Sequence, residues 1–145
     1  MGKVRERSRS GGDNFIFATD TGITAALGLL NSSTMLPTRN RTRLLWFAES
    51  ADYFLPFRFV TEELDRIDIR KFSVIESPPV SDGTRMQKAL NLIEAIVREE
   101  APGRAYLCGD GAVIYAVQER LIGAGMTPEN IRIECFFNNP QRKAA

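Results

Sequence analysis

Short apolar runs alternate with helical patterns along most of the chain. Five runs rich in branched and aromatic residues are typical of buried strands. Between them apolar positions recur at helical spacing, most clearly in 85–99, where Met86, Leu90, Ile93 and Val97 form one stripe. The predicted strands are 15–18, 43–48, 72–76, 105–108 and 131–137, and the predicted helices are 23–31, 56–66, 85–99 and 111–123.

This order of elements predicts the fold class. Strands that alternate with helices pair in parallel through right-handed crossovers, which place helices on both faces of the sheet. We therefore expect an α/β fold: a three-layer, doubly wound, five-stranded parallel sheet. In such sheets ligands bind beyond the carboxyl ends of the strands, so the turns that leave the strands are where a site is expected.

Composition narrows the class of protein and its partners. At 145 residues the chain is long enough for one domain with a real core. A net charge of +1 gives no electrostatic case for binding nucleic acid or an anionic membrane. The sequence contains no apolar run of bilayer length and no signal peptide, so we expect a cytoplasmic protein.

The two ends of the chain differ from its body. Residues 1–13 are basic and almost free of apolar side chains, which predicts a flexible leader or an interdomain linker. A basic tail that binds nucleic acid is the alternative interpretation of this segment. Residues 138–145 are predicted to be a flexible tail, which leaves 14–137 as the folded domain.

Two residue types limit the chemistry. The chain contains no histidine, which excludes histidine acid–base catalysis and histidine-ligated metals. Its two cysteines cannot form a structural zinc site alone, nor do they suggest a disulfide scaffold. We expect no metal, and any activity must use backbone amides, carboxylates, hydroxyls, cations or a thiol.

Two glycine-containing turns follow predicted strands. "ATDTGIT" contains Gly22, and "CGDGAVI" contains Gly109 and Gly111 on either side of Asp110. Glycine allows a sharp turn and a close approach to the backbone, and the helix start behind each turn offers free amides to an anion. The full G-x-G-x-x-G dinucleotide fingerprint is absent.

Three motifs in this order resemble a known family. "TDTGITA", "YLCGDG" and "IECF" resemble the first turn, the fourth strand end and the last strand of the NAD(P)-binding domain in the ferredoxin–NADP reductase superfamily. The reductases of ring-hydroxylating oxygenases belong to this superfamily. The resemblance covers residues 14 to about 137, and it implies the strand order 3-2-1-4-5 with both glycine turns at the switch point.

The resemblance also implies which residues bind the nucleotide. Backbone amides around Thr21, Gly22, Ile23 and Thr24 would hold the pyrophosphate. Cys108 would lie beside the nicotinamide at the hydride-transfer position. The wall next to it would be formed by Gly109, Asp110 and Gly111.

Two further residues are implied on the last strand. Glu134 would approach the Cys108 thiol, and Phe136 would flank the flavin or the nicotinamide. Strand alternation independently places Glu134 and Phe136 on one face and Cys135 on the other, which predicts a core thiol at Cys135.

Each of these residues also has a purely structural interpretation. Cys108 can be an ordinary buried cysteine at a strand end, and Asp110 can simply cap the helix that follows it. Glu134 can be a solvated residue near a chain end, and Phe136 can belong to the core.

The first turn departs from the family pattern at two positions, because Asp20 replaces a glycine and Ala25 replaces a proline. A carboxylate about 5 Å from a pyrophosphate would cost on the order of 3 kcal/mol at an effective dielectric near 20, and could reduce affinity by about a hundredfold. Alternatively, Asp20 turns away and caps the helix through the amides of Gly22 or Ile23, which is the interpretation we prefer.

The choice of coenzyme is expected to depend on the turn after the second strand. Glu49 or Ser50 could accept hydrogen bonds from the adenosine ribose, and an acid there disfavours a 2′-phosphate, so NADH is slightly favoured over NADPH. Arginines 39, 41 and 43 precede that strand, which places them at the opposite end of the sheet.

The resemblance therefore implies the NAD(P)H-binding module of an NAD(P)H:flavin oxidoreductase, incomplete on its own. The family places an FAD-binding barrel before this domain, and nothing here matches it. FAD would then be held by another domain or subunit, with an electron acceptor downstream. One alternative is a degenerate nucleotide-binding fold that acts in docking or regulation. Another is an FMN-binding, flavodoxin-like domain, because the first turn is rich in hydroxyls.

Overall fold

The computed structural model describes residues 13–49 and 55–140. Five strands and four α-helices alternate through these two ranges. Predicted leader residues 1–12, Ser50 and tail residues 141–145 lie outside the described residues. The strands are β1 (Asn14–Thr19), β2 (Thr42–Ala48), β3 (Lys71–Glu76), β4 (Arg104–Asp110) and β5 (Ile131–Phe137), and the helices are α1 (Gly22–Leu30), α2 (Phe57–Arg66), α3 (Thr84–Glu99) and α4 (Gly111–Gly123).

The sheet confirms the predicted fold class. All four strand pairs are parallel, and the strand order is β3-β2-β1-β4-β5. The order reverses between β1 and β4, and this switch point is where the turns after the two strands meet. Short 3-10 turns at Leu36–Arg41 and Pro128–Asn130 lead into β2 and β5.

Two hydrophobic cores lie on opposite faces of the sheet. On one face α1 and α2 cover alternate residues of the central strands, including Ile16 and Trp46. On the other face α3 and α4 cover the intervening residues, including Phe17 and Phe47. Successive side chains of a strand point to opposite faces, so central strands with both faces covered are almost continuously apolar.

The apolar stripe of α3 is centred slightly away from its predicted position. Ile93 is buried as expected, whereas Met86, Leu90 and Val97 are only partly buried at its flanks. The fully covered positions of this helix are Arg85, Ala89, Ile93 and Ile96. A charged residue therefore occupies the first position of the buried face.

A glycine at the start of α1 sets the distance between this helix and β4. A Cβ atom at Gly22 would lie 2.3 Å from the carbonyl oxygen of Cys108, which is closer than real Cβ atoms approach backbone. Because both atoms belong to backbone in packed elements, neither can move cheaply. Gly22 is thus required by packing at the switch point.

Replacing Gly22 with alanine is expected to destabilise the domain by about 2 kcal/mol or more, because the added methyl group must push α1 away from β4. Gly28→Ala in the same helix is the matched control, since nothing lies within 4 Å of a Cβ atom there. That control should stabilise the protein by about 0.5–1 kcal/mol through helix propensity. Urea denaturation measures both changes, and equal effects of the two substitutions would contradict the packing argument.

Candidate functional site

The two glycine turns contact each other at the switch point. Gly109 has a φ of +130°, and a Cβ atom there would lie 2.2 Å from Oγ1 of Thr19. The Asp110 amide donates a hydrogen bond of 2.8 Å to that same hydroxyl oxygen. This hydrogen bond joins the ends of β1 and β4. Glycine is needed at position 109 both for its positive φ and for the close approach to Thr19.

Asp20 is the residue on which the two turns depend. It adopts a left-handed φ of +53°, which aspartate tolerates better than most residues, and it is 1% exposed. Its amide donates to the Phe47 carbonyl at 3.0 Å, and its carbonyl oxygen accepts from Nε1 of Trp46 at 3.0 Å. The amide and the carbonyl of Asp20 are thus both hydrogen-bonded to residues of β2, and these two bonds hold the turn in this conformation.

The predicted capping role of Asp20 is wrong. No side chain of the described residues caps the start of α1, and neither the Gly22 nor the Ile23 amide donates to the Asp20 carboxylate. The carboxylate instead points away from the helix and into the protein. There its Oδ2 accepts a hydrogen bond from Nη2 of Arg85, in an ion pair whose two side chains are each 2% exposed.

Arg85 joins the ends of several strands. Its Nη2 lies 3.3 Å from Oδ2 of Asp110, and its Nη1 donates to Oγ of Ser77. Its guanidinium carbon lies 5.4 Å from the centre of the Phe47 ring, within cation–π distance. Together with Asp20, these contacts reach the carboxyl ends of β1, β2, β3 and β4.

We call Asp20, Arg85 and Asp110 the buried triad. Two carboxylates share one guanidinium, so the fully ionised triad carries one net negative charge in a place sheltered from water. Burial raises the pKa of Asp20, contacts with Arg85 and Thr19 oppose that rise, and the charge of Asp110 adds to it.

Sequence reasoning did not identify Arg85 as part of the site. One signal could have found it, because Arg85 lies four and eight residues before Ala89 and Ile93, which face the core. That spacing places all three on one face of a helix. A charged residue on an apolar stripe requires a buried partner, although the sequence does not say which one.

The predicted pyrophosphate amides are already partly engaged. The Ile23 amide donates to the Asp20 carbonyl at 3.3 Å, and the Thr24 amide donates to the Thr21 carbonyl at 3.1 Å. Gly22 and Ile23 are buried, whereas Thr21 is half-buried and Thr24 is exposed. The amide of Gly22 opens the helix and so has no acceptor within it.

The second turn combines a helix cap with close packing. Oδ1 of Asp110 accepts from the Ala112 amide and from Nδ2 of Asn138, each at 3.1 Å, so the predicted cap is present. A Cβ atom at Gly111 would lie 2.5 Å from the Asn138 carbonyl oxygen. Asn138, which the sequence placed in the terminal tail, therefore contacts the site.

Cys108 and Glu134 lie next to each other, as predicted. They are paired residues of β4 and β5, and the Cys108 side chain is 6% exposed while Glu134 is exposed. Burial, with a smaller contribution from the Glu134 charge, raises the pKa of the Cys108 thiol to about 12. The thiol is therefore protonated at neutral pH and is not a nucleophile.

Phe136 is not a core residue. The pairing of β4 with β5 shifts by one residue after Gly109, so that Asp110 pairs with Phe137 and Phe136 is the extra residue of a bulge. Its side chain is 46% exposed on the same face as Glu134. Cys135 points to the other face, as expected, and is half-buried against the core beneath α4.

Glu49 lies at the same edge of the sheet, directly after β2. It is exposed, and its Oε2 accepts a hydrogen bond of 3.3 Å from the Val80 amide in the segment after β3. Glu49 therefore lies at the carboxyl ends of the strands, as the two glycine turns do.

Three further features concern the described residues. They contain no group of three or more histidine, cysteine, aspartate or glutamate side chains that could hold a metal ion. None of the helices in the described part of the chain is long and apolar enough to cross a membrane. A groove of about 550 Å³ between α3 and α4 is lined by none of the predicted site residues.

Comparison with known proteins identifies the fold. The sequence matches no model of a known protein family and no curated protein. Its structural neighbours include a cytochrome P450 reductase and ferredoxin reductases, which confirms the fold that the motif resemblance implies.

Three of these neighbours illustrate the similarity. A cytochrome P450 reductase from Amycolatopsis has a TM-score of 0.61 and 21% identity over 87% of this chain and 38% of its own. The ferredoxin reductase of carbazole 1,9a-dioxygenase, in its FAD apo form, has a TM-score of 0.60 and 16% identity over 88% and 36%. Ferredoxin–NADP+ reductase from Plasmodium falciparum, in complex with 2′P-AMP, has a TM-score of 0.56 and 14% identity over 90% and 56%. The chain thus spans less than two thirds of each of these proteins.

Arg85→Met is expected to destabilise the domain by about 3–5 kcal/mol, because it leaves two buried carboxylates without a cation. Arg70→Met is the matched control, since the Arg70 side chain is 85% exposed and its surface pair contributes little. Urea denaturation of both variants tests this expectation. A loss in Arg85→Met no larger than that in the control would show that the triad does not hold the strand ends together.

The Cys108 thiol is expected to resist alkylation in the folded protein. With a pKa of about 12, only about one molecule in 10⁵ carries the thiolate at neutral pH. Iodoacetamide labelling followed by mass spectrometry measures the rate, in a Cys135→Ser background so that only one thiol reports. The urea-unfolded protein is the control and should react faster by orders of magnitude, and equal rates would contradict the buried, neutral thiol.

Proposed function

We propose that this domain binds NADH at the carboxyl edge of its sheet and presents the nicotinamide to a flavin carried by another domain or subunit. The observation that carries the proposal is the meeting of the two glycine turns at the switch point, next to Cys108 and Glu134 on one face. Ligands of open α/β sheets bind at such a point. The similarity of fold to NAD(P)-binding reductase domains supports the same role.

The position of the Asp20 carboxylate removes the main objection to this function. Repulsion of a pyrophosphate would be severe if the carboxylate faced the turn. It is instead buried and paired with the guanidinium of Arg85, which offsets part of its charge. The remaining cost is the net charge of the triad, which is smaller because it is partly neutralised.

In this proposal Cys108, Glu134 and Phe136 position the nicotinamide and form no covalent intermediate. A thiol that stays protonated supplies a compact, weakly polar surface beside the ring. Glu134 is exposed and can accept a hydrogen bond, and Phe136 offers an exposed aromatic face to a flavin. The hydride chemistry belongs to the coenzyme and the flavin, while the protein supplies position and electrostatics.

The partner proposed for this face is an FAD-binding domain or subunit, followed by an electron acceptor. The face of β5 that carries Glu134 and Phe136 is exposed in the described structure. A partner that covers it would exclude water from the nicotinamide and bring the flavin into contact.

A degenerate nucleotide fold used for docking is the second candidate, and a specific observation favours it. The Ile23 and Thr24 amides already donate to turn carbonyls, so fewer donors remain for a phosphate. Packing alone also accounts for the glycines at positions 22, 109 and 111.

Calorimetric titration with NADH, NADPH and AMP separates the two candidates. Saturable binding of NADH, with AMP binding more weakly, is the expected result. If none of the three ligands binds a folded sample, the docking function becomes the better explanation.

Glu49→Arg is expected to shift the preference from NADH toward NADPH by about tenfold, because an arginine attracts the 2′-phosphate that a glutamate repels. Glu129→Arg makes the same charge change at the opposite edge of the sheet and should leave the ratio of the two affinities unchanged. Calorimetry of both variants gives the ratio. A similar shift in both would indicate a general electrostatic effect rather than contact with Glu49.

A further inference from the structure

The buried triad lies directly behind the turn that is proposed to hold the pyrophosphate. Asp20 immediately precedes Thr21 and Gly22, and Asp110 follows the glycine that packs against Thr19. All three side chains of the triad are at most 3% exposed. A dianionic group bound in the turn would therefore act on charges that water screens poorly.

The two carboxylates of the triad are not equivalent. Oδ1 of Asp110 accepts two hydrogen bonds, and its Oδ2 contacts Arg85. Oδ2 of Asp20 is bound to Arg85, but its Oδ1 is buried and has no hydrogen-bond partner among the described residues. A buried carboxylate oxygen without a hydrogen-bond partner can accept a proton, which makes Oδ1 of Asp20 the candidate acceptor within the triad.

We propose that Asp20 takes up one proton when the pyrophosphate of a nucleotide occupies the turn. This inference rests on the proposed function. The proton comes from solvent and forms a bond to Oδ1 of Asp20, while Oδ2 keeps its hydrogen bond to Arg85. The triad then changes from one net negative charge to none as the two charges of the ligand arrive.

The charged groups that face Asp20 are the other two members of the triad. Arg85 faces it from α3 and Asp110 faces it from the end of β4. The side chains that β2 contributes, Trp46 and Phe47, do not titrate in this range, and the segment after β3 contributes the hydroxyl of Ser77. Burial already raises the pKa of Asp20 in the free domain, and Asp110 adds to that rise.

The sign of the effect follows from linkage. A bound anion raises the proton affinity of Asp20 further, so the complex holds more protons than the free domain. The affinity for nucleotide must then rise as the pH falls, by at most about tenfold per pH unit for one proton.

Calorimetry of the full chain in buffers of different ionisation enthalpy measures the proton directly. At each of several mildly acid to mildly alkaline pH values, the observed binding heat is plotted against buffer enthalpy for NADH and for inorganic pyrophosphate. We expect a slope that reports uptake of a fraction of one proton with both ligands.

Asp20→Asn tests the assignment. The amide keeps an oxygen for Arg85 and leaves a neutral Arg85–Asp110 pair, so the variant is expected to fold and to bind without proton uptake. Asp65→Asn is the matched control, because Asp65 is exposed on α2 and its substitution makes the same change of charge away from the triad. The control should keep the slope of the wild-type protein.

The outcomes separate this inference from the proposed function. Wild-type binding with the same heat in every buffer would overturn the inference and leave the function standing, and this result needs no variant. A slope that persists in Asp20→Asn would overturn the assignment to Asp20. If neither NADH nor inorganic pyrophosphate binds, both this inference and the proposed function are overturned.

Discussion

One buried guanidinium holds the functional edge of this domain together. Arg85 contacts Asp20, Asp110, Ser77 and the ring of Phe47, and so links the ends of four neighbouring strands. Taking an arginine and two carboxylates out of water costs several kcal/mol per ion, and only close geometry and further hydrogen bonds offset that cost. The strand ends are therefore constrained to one arrangement, because any other would leave a buried charge without a partner.

The same constraint shapes the site. Asp20 can hold a left-handed φ because its amide and carbonyl are bound to β2 and its carboxylate to α3. Within the turn, the Thr24 hydroxyl donates a hydrogen bond of 2.8 Å to the Thr21 carbonyl. The Asp20 carboxylate is held behind the turn, where the ionised triad carries a net negative charge.

The two faces of the sheet differ in how far they are covered. Beneath α3 and α4 lie the apolar core and the triad's arginine, which provide stability. On the other face, β5 is only partly covered: Cys108 is buried, and its pair Glu134 and the nearby Phe136 on β5 are exposed.

The sequence by itself determined the local features of this protein. Apolar periodicity predicted the five strands and four α-helices of the described residues to within a few residues, because side-chain alternation and helical spacing are local properties. The Asp110 cap and the opposite faces of Glu134 and Cys135 followed for the same reason. The strand order depended instead on the resemblance of three motifs, and the structure confirmed it.

Only the tertiary structure decided the electrostatics of the site. Asp20 was expected to cap the adjacent helix, but its partner is an arginine 65 residues away, which no local pattern can identify. The bulge at Phe136 also depends on how β5 pairs with β4. Interactions between distant residues are set by how the elements pack, and packing decided that the Asp20 carboxylate is paired with Arg85.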